Sequence, residues 1–104
     1  MYKVEFGWEI NAYCPCKKCC GPTAKGISTC GKTFAKEDEY RICAAPKKLP
    51  CGKEITISRG WNGKVVVQDR NNATGKRIDI FCWKHETALK FGKKKNCEIS
   101  YKVF

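Results

Sequence analysis

The chain has 104 residues, a formal net charge of +11 and nine cysteines. A chain of this length forms one domain with a modest core, so we expect a single domain over residues 1–104. No run of about 18 apolar residues is present, which excludes a membrane-spanning helix. Residues 1–20 lack the basic start, apolar middle and cleavage site of a signal peptide. Either the chain carries no signal, a signal has been removed, or export uses another route.

The period of the apolar residues predicts a mainly β chain. Gly and Pro punctuate the segment from Cys14 to Lys36, which is predicted to be a long Cys-rich loop. The helical stretch His85–Phe91 is followed by Gly92 as its C-cap. Six such strands, one short helix and one long loop indicate a small β-barrel. The predicted strands are Val4–Tyr13, Tyr40–Ala44, Glu54–Ser58, Lys64–Asp69, Arg77–Trp83 and Cys97–Phe104.

The positive charge favours an anionic partner over a plain lysine-rich surface. Nucleic acid, a membrane surface and an anionic polymer such as a bacterial cell wall all meet that condition. Most of the basic residues are lysines and only four are arginines. Because base readout favours bidentate arginine, nucleic acid is the weakest of these candidates.

The cysteines allow three interpretations. In an oxidising compartment they form disulfides, each worth about 2–4 kcal/mol, with one thiol left over because nine is odd. The cluster Cys14–Cys20 can instead bind zinc, since Cys16 and Cys19 have knuckle spacing. No second C-x-x-C follows, and His85 fits a structural role at a helix start better than that of a ligand. Disulfides are therefore favoured over zinc, buried free thiols are the third option, and no cofactor is predicted.

The segment K-R-I-D-I-F, residues 76–81, places a carboxylate inside a predicted strand. Ile78 and Ile80 share one face, while Arg77, Asp79 and Phe81 share the other. On an open face Asp79 is an ordinary surface charge. Next to an apolar neighbour its pKa would be raised, as a general acid requires. An ion pair with Arg77 would lower that pKa, and the sequence leaves this conflict open.

Asp69 ends the preceding strand, ten residues before Asp79. Two strands connected in this way are able to bring both carboxylates to one site. The simpler interpretation is that Asp69 forms the turn that continues through Asn71 and Asn72.

Three segments together resemble the 3D-domain proteins, a family that includes stationary-phase survival proteins and the membrane-bound lytic transglycosylase A group. The strand ending in Asp, the turn, R-I-D and the H-E-T-A-L-K-F-G helix lie within Val65 to Gly92. A-Y-C-P-C-K-K-C-C-G (12–21) and R-I-C-A-A-P-K-K-L-P-C-G (41–52) are similar to the opening and middle segments of the family. The three segments occur in the family's order and cover most of the chain.

The resemblance implies a six-stranded double-psi β-barrel and non-hydrolytic cleavage of the β-1,4 bond between N-acetylmuramic acid and N-acetylglucosamine in peptidoglycan. By match to R-I-D, Asp79 would be the single acid/base, and Asp69 would tune or orient it. Asn11, Thr29 and Arg77 are candidate substrate-binding residues, as is Trp61 at a hairpin tip, able to stack on a sugar ring. We expect a secreted or wall-associated monomer, with a non-catalytic wall-binding module on the same barrel as the alternative.

The chain also departs from the family pattern. The third aspartate of the family is Ala45 here, and the threonine expected before Ala-Tyr is Asn11. The D-T-G-G turn is replaced by Asp69-Arg-Asn-Asn72, with one residue fewer before R-I-D. These changes bear on the activity more than on the fold.

Overall fold

A computed structural model of the protein describes residues 1–16 and 26–103. Within these ranges the chain forms six strands, one α-helix and a 3-10 helix at Lys36–Asp38. The helix α1 is His85–Phe91 and ends at Gly92, as the sequence predicts. The strands are β1 Tyr2–Tyr13, β2 Ile42–Ala45, β3 Glu54–Ser58, β4 Gly63–Arg70, β5 Arg77–Phe81 and β6 Lys94–Lys102.

The strands close into a barrel in the order β1-β5-β2-β4-β3-β6. The pairs β1/β5 and β2/β4 are parallel, and the other four pairs are antiparallel. Alternate residues of each strand point into the barrel and form its core, as period 2 requires. The core includes Ile10, Cys43, Ile57, Val67, Ile78, Ile80 and Ile99.

The first strand contains an irregularity that places a carboxylate in the core. Gly7 has a φ of 74°, in the left-handed region that glycine tolerates best, and the register with β6 shifts between Glu5 and Trp8. Glu5 and Trp8 are three residues apart, yet both are buried. The bulge therefore turns two residues of different parity inward.

A second apolar cluster lies on the outer side of the barrel wall. Phe34 stacks on Phe81 with ring centroids 4.7 Å apart, and Tyr13 meets both rings edge to face. Ile42 completes this outer aromatic cluster. One stretch of the outer surface is therefore covered by the segment before β2 rather than open to water.

The structure confirms the mainly β fold class, the closed six-stranded barrel and the single short helix. Strand β3 has the predicted bounds, and the other strands differ at their ends by one to three residues. The described part of the predicted loop, 14–16 and 26–36, contains an isolated bridge between Ile27 and Thr33 and, at its last residue, the start of the 3-10 helix. No helix within the described residues is long and apolar enough to cross a membrane.

Candidate functional site

Asp79 lies in the middle of the barrel wall, on β5 between β1 and β2. It is in register with Asn11 of β1 and with Ala44 of β2. Its neighbours Ile78 and Ile80 belong to the barrel core, so Asp79 lies on the outer face, as its parity predicts. The residue is nevertheless only 5% exposed. Asp79 is therefore a buried carboxyl group on the outside of the barrel wall.

The ion pair that the sequence left open is present. Arg77 Nε donates to Asp79 Oδ1 at 3.0 Å, although the Arg77 side chain itself is half exposed. Burial raises the pKa of Asp79, and the hydrogen bonds and charge of Arg77, helped by Asn71, lower it. Burial prevails, and the pKa of Asp79 is raised above its ordinary value. The Arg77 contact thus limits the rise in the pKa of Asp79 but does not reverse it.

A β-bulge brings Asp69 to the same face as Asp79. By parity Asp69 would follow Val65 and Val67 into the core. The register between β2 and β4 shifts, however: Cys43 pairs with Val67, and the next residue, Ala44, pairs with Asp69. The extra residue in β4 turns Asp69 outward.

Asp69 and Asp79 therefore flank the same residue, Ala44, from opposite sides. Neighbouring strands lie about 4.8 Å apart, so the backbones of the two aspartates are separated by roughly 10 Å. Carboxylates placed in this way are close enough to line one groove but belong to separate hydrogen-bond sets.

Four hydrogen bonds hold the Asp69 carboxylate in one orientation. Thr29 donates its backbone N–H and its hydroxyl to Oδ1, at 2.9 and 2.8 Å. The Arg70 N–H also donates to Oδ1 at 2.9 Å, and the Tyr13 hydroxyl donates to Oδ2 at 3.0 Å. The disulfide between Cys30 and Cys51 anchors the loop that carries Thr29. Asp69 is thereby a fixed acceptor that ties this loop to the barrel.

The remaining predicted site residues lie in different places. Asn11 is in register with Asp79, but its Nδ2 donates to Glu9 at 2.7 Å. Trp61 packs against Phe91 and Tyr40, with ring centroids 5.9 and 6.3 Å away. Among the described residues, the ring partners of Trp61 are therefore on α1 and before β2, and no hydrogen bond or ring contact joins it to either aspartate.

Ala45, which the resemblance matches to a third aspartate of the 3D-domain proteins, is fully buried in the core. The carbonyl groups around it are bound by Arg70, whose Nη1 contacts Ala45 O at 3.4 Å and Pro46 O at 3.1 Å. An arginine therefore fixes the backbone around Ala45.

A lysine-lined groove opens beside the start of β5. Its volume is about 300 Å³, and it lies between the loop after β2 and the loop before β5. Lys76, one of its lining residues, is three positions before Asp79 on the chain. The lining residues are Pro46, Lys47, Lys48, Ala73, Thr74, Gly75 and Lys76.

Asn71 and Tyr13 are site residues that sequence reasoning missed. Asn71 Nδ2 donates to the backbone oxygen of Arg77 at 2.9 Å and contacts Ala44 O at 3.4 Å. Asn71 Oδ1 accepts the N–H of Ala73 at 3.0 Å, which fixes the turn before β5. The turn signal of Asn71 was visible in the sequence, but its contact with the neighbouring strand was not.

A separate Cys/His cluster lies where β1 ends and α1 begins. Cys14 and Cys16 Sγ are 2.7 Å apart and lie 3.5 and 3.4 Å from His85 Nδ1. The sequence favoured a disulfide role for Cys14–Cys20; the disulfide that the structure describes is Cys30–Cys51. The part of that prediction concerning Cys19 and Cys20 lies outside the described residues.

The sequence matches no protein-family model and no curated protein. The resemblance to the 3D-domain family therefore stays a prediction. The outer face of the barrel wall offers one buried carboxyl group with a raised pKa and one tightly bound carboxylate, and a separate basic groove lies beside the start of β5.

Proposed function

We propose that this protein is a peptidoglycan lytic transglycosylase in which Asp79 is the only acid/base residue. The observation that carries the proposal is the burial of Asp79, which raises its pKa despite the Arg77 contact. A carboxyl group that holds its proton at higher pH than usual is suited to donate it to a glycosidic oxygen.

The reaction needs one carboxyl group and no cofactor. Protonated Asp79 gives its proton to the glycosidic oxygen, and the bond from that oxygen to C1 of muramic acid breaks. The Asp79 carboxylate then takes the proton of the C6 hydroxyl while O6 forms a bond to C1. The products are a 1,6-anhydromuramyl end and a free N-acetylglucosamine hydroxyl, and Asp79 regains its proton.

Asp69 would act as a positioning residue in this proposal. Its two hydrogen bonds from Thr29 fix that loop along the face that carries Asp79, and the donors Tyr13 and Arg70 hold the carboxylate itself. Asn11 and Arg77 flank Asp79 and are the nearest candidates to contact the sugar. Trp61 remains a candidate for a more distant sugar ring.

The lysine-lined groove supports an anionic wall polymer as the partner. Lys47 and Lys76 line it together with Lys48, whose charge is paired with Glu5, and the whole chain carries a net charge of +11. Electrostatic attraction of this kind concentrates an anionic substrate near the groove. We propose a secreted or wall-associated monomer that acts on peptidoglycan; nucleic acid is the weaker partner for an arginine-poor chain.

The test is mass spectrometry of the soluble products released from purified peptidoglycan. Wild-type protein is expected to release anhydro-muropeptides, and Asp79→Asn should reduce their rate of formation by about 100-fold or more. Asp38→Asn is the matched control, because Asp38 accepts the Ala35 N–H and pairs with Lys32 away from the described contacts of Asp79. Circular dichroism checks that each variant is folded.

The alternative is a non-catalytic wall-binding module on the same barrel. The replacement of the family's third aspartate by Ala45 favours it. In that case neither the wild type nor Asp79→Asn releases anhydro-muropeptides. The wild type is retained on purified wall, and salt weakens this binding. Equal product formation by wild type and Asp79→Asn would also overturn the catalytic proposal.

A further inference from the structure

The Cys/His cluster joins two elements that are far apart in sequence. Cys14 directly follows β1, and His85 is the first residue of α1. Cys14 is fully buried and shares a small apolar cluster with Cys82 and Ala88, against which Cys16 packs. The three side chains thus meet at a sheltered junction rather than on open surface.

The distances suit a shared tetrahedral ion. With Zn–S of about 2.3 Å and Zn–N of about 2.05 Å, tetrahedral ligands place sulfur and nitrogen about 3.5 Å apart. His85 Nδ1 lies 3.5 and 3.4 Å from the two sulfurs, and all three ligand atoms lie within 4.8 Å of one another. The two sulfurs, at 2.7 Å, would separate by about 1 Å to bind one ion.

The position of His85 favours an ion over a disulfide. The sulfur separation of 2.7 Å lies between the bond of about 2.05 Å in a disulfide and the distance of about 3.8 Å between two sulfur ligands of one zinc ion, so it decides for neither. A disulfide between Cys14 and Cys16 does not account for His85 Nδ1, which lies 3.5 and 3.4 Å from the two sulfurs. Two thiolates and an imidazole are instead the ligand types that zinc prefers.

We propose that Cys14, Cys16 and His85 bind a structural zinc ion. The ion would connect the end of β1 to the start of α1. The ion would also fix the position of Tyr13, the residue before Cys14. The Tyr13 hydroxyl donates to Asp69. Among the described residues, Cys82 lies in the same apolar cluster, but its sulfur is not within 4.8 Å of all three ligand atoms and is not assigned as a ligand. The proposed reaction itself uses no metal, so the zinc site does not rest on the proposed function.

The first measurement is the metal content of the full chain, reduced under anaerobic conditions and supplied with zinc. Native mass spectrometry and elemental analysis are expected to give one zinc per chain. Cys14→Ser, Cys16→Ser and His85→Ala should each lower zinc affinity at least tenfold in a chelator competition. Cys97→Ala is the matched control, because this buried cysteine lies on β6 in the barrel core and should leave zinc binding unchanged.

A second measurement needs no variant and so does not depend on variants that fold poorly. Cobalt(II) replaces zinc in tetrahedral sites and reports its ligands by absorption. The wild type is expected to show thiolate-to-cobalt charge-transfer bands and intense visible bands of a tetrahedral ion. X-ray absorption at the zinc edge should resolve sulfur neighbours at about 2.3 Å and a nitrogen neighbour at about 2.05 Å.

Several results would overturn the zinc site. One is a reduced wild-type chain that retains no zinc after dialysis. Another is zinc that stays bound with equal affinity in all three ligand variants. A third is peptide mapping that finds Cys14 or Cys16 in a disulfide, together with no metal uptake after reduction. A wild-type protein that binds zinc but releases no soluble products from purified wall would count against the proposed function alone.

Discussion

The pKa values of two buried carboxyl groups of this protein, Glu5 and Asp79, are shifted in opposite directions. Both are less than 10% exposed, so burial raises the pKa of each. At Glu5, hydrogen bonds from Tyr101, Lys48 and Trp8 outweigh burial and lower the pKa to about 2. At Asp79, Arg77 and Asn71 do not outweigh burial, and the pKa is raised.

The difference lies in how many donors reach each carboxyl group. Glu5 accepts from the Tyr101 hydroxyl at 2.7 Å, from Trp8 Nε1 at 2.9 Å, and from Lys48 Nζ at 3.0 and 3.2 Å. At Asp79 the main donor is Arg77 Nε at 3.0 Å, on a half-exposed side chain, with a smaller contribution from Asn71. Burial prevails at Asp79 and raises its pKa, whereas the hydrogen bonds prevail at Glu5 and make it a structural anion. We infer that Glu5 stabilises the barrel while Asp79 remains available for proton transfer.

The largest expected effect is on stability at Glu5. Its pKa falls from 4.5 in the unfolded chain to about 2 in the folded one, so its stabilisation is complete above pH 4.5 and is lost as the pH falls toward 2. The full contribution is on the order of 3 kcal/mol. Glu5→Gln should lower the free energy of unfolding at pH 7 by a similar amount and remove the decline between pH 4.5 and 2.

Urea unfolding at a series of pH values measures this effect. Glu37→Gln is the control, because Glu37 is exposed on the 3-10 helix. A Glu5→Gln variant as stable as the wild type at pH 7 would show that the hydrogen bonds of Glu5 contribute little.

Asp79→Asn should have a smaller stability effect of opposite sign. Because the folded pKa of Asp79 is raised, its contribution is fully present below the ordinary pKa and is lost as the pH rises through the folded pKa. The wild type should therefore lose stability over that interval. Asp79→Asn should not, and the two unfolding curves should diverge as the pH rises from about 4. A steeper decline in the variant would contradict the raised pKa.

Arg77→Gln tests the moderating effect of the ion pair. Without the guanidinium, the pKa of Asp79 should rise further, since Arg77 lowers it through a hydrogen bond and through charge. If Asp79 acts as the general acid, the basic limb of the pH–rate profile should move to higher pH. Arg59→Gln is a control, because Arg59 pairs with Glu98 instead. If the basic limb of the pH–rate profile stays at the same pH, Arg77 does not lower the pKa of the general acid.

The smallest expected effect is on the free energy of unfolding when a hydrogen bond to Asp69 is removed. Tyr13→Phe removes one of four hydrogen bonds to Asp69 and should lower the free energy of unfolding by about 1 kcal/mol. The ring contacts with Phe34 and Phe81 would remain. Thr29→Val should cost more than Tyr13→Phe, because the Thr29 hydroxyl donates at the shorter distance of 2.8 Å. Thermal unfolding of both variants ranks the two donors, and the reverse order would contradict this account.

The sequence predicted local structure well, because strand periodicity and caps are local properties. The alternation of Ile78 and Ile80 with Asp79 correctly placed the carboxyl group on the outer face. The bounds of α1 and of β3 also followed from nearby residues. Its six predicted strands closed into the expected barrel, since each buries one apolar face.

Only the tertiary structure decided the direction in which the pKa of Asp79 shifts, the face of Asp69 and the partners of His85. Parity assigns Asp69 to the core, and a bulge opposite β2 reverses that assignment. His85 meets Cys14 and Cys16 across about 70 positions of chain, where no spacing rule applies. Burial and long-range contacts depend on which segments cover one another. The sequence by itself determined the strands and the candidate acid, and the closed barrel determined what surrounds that acid.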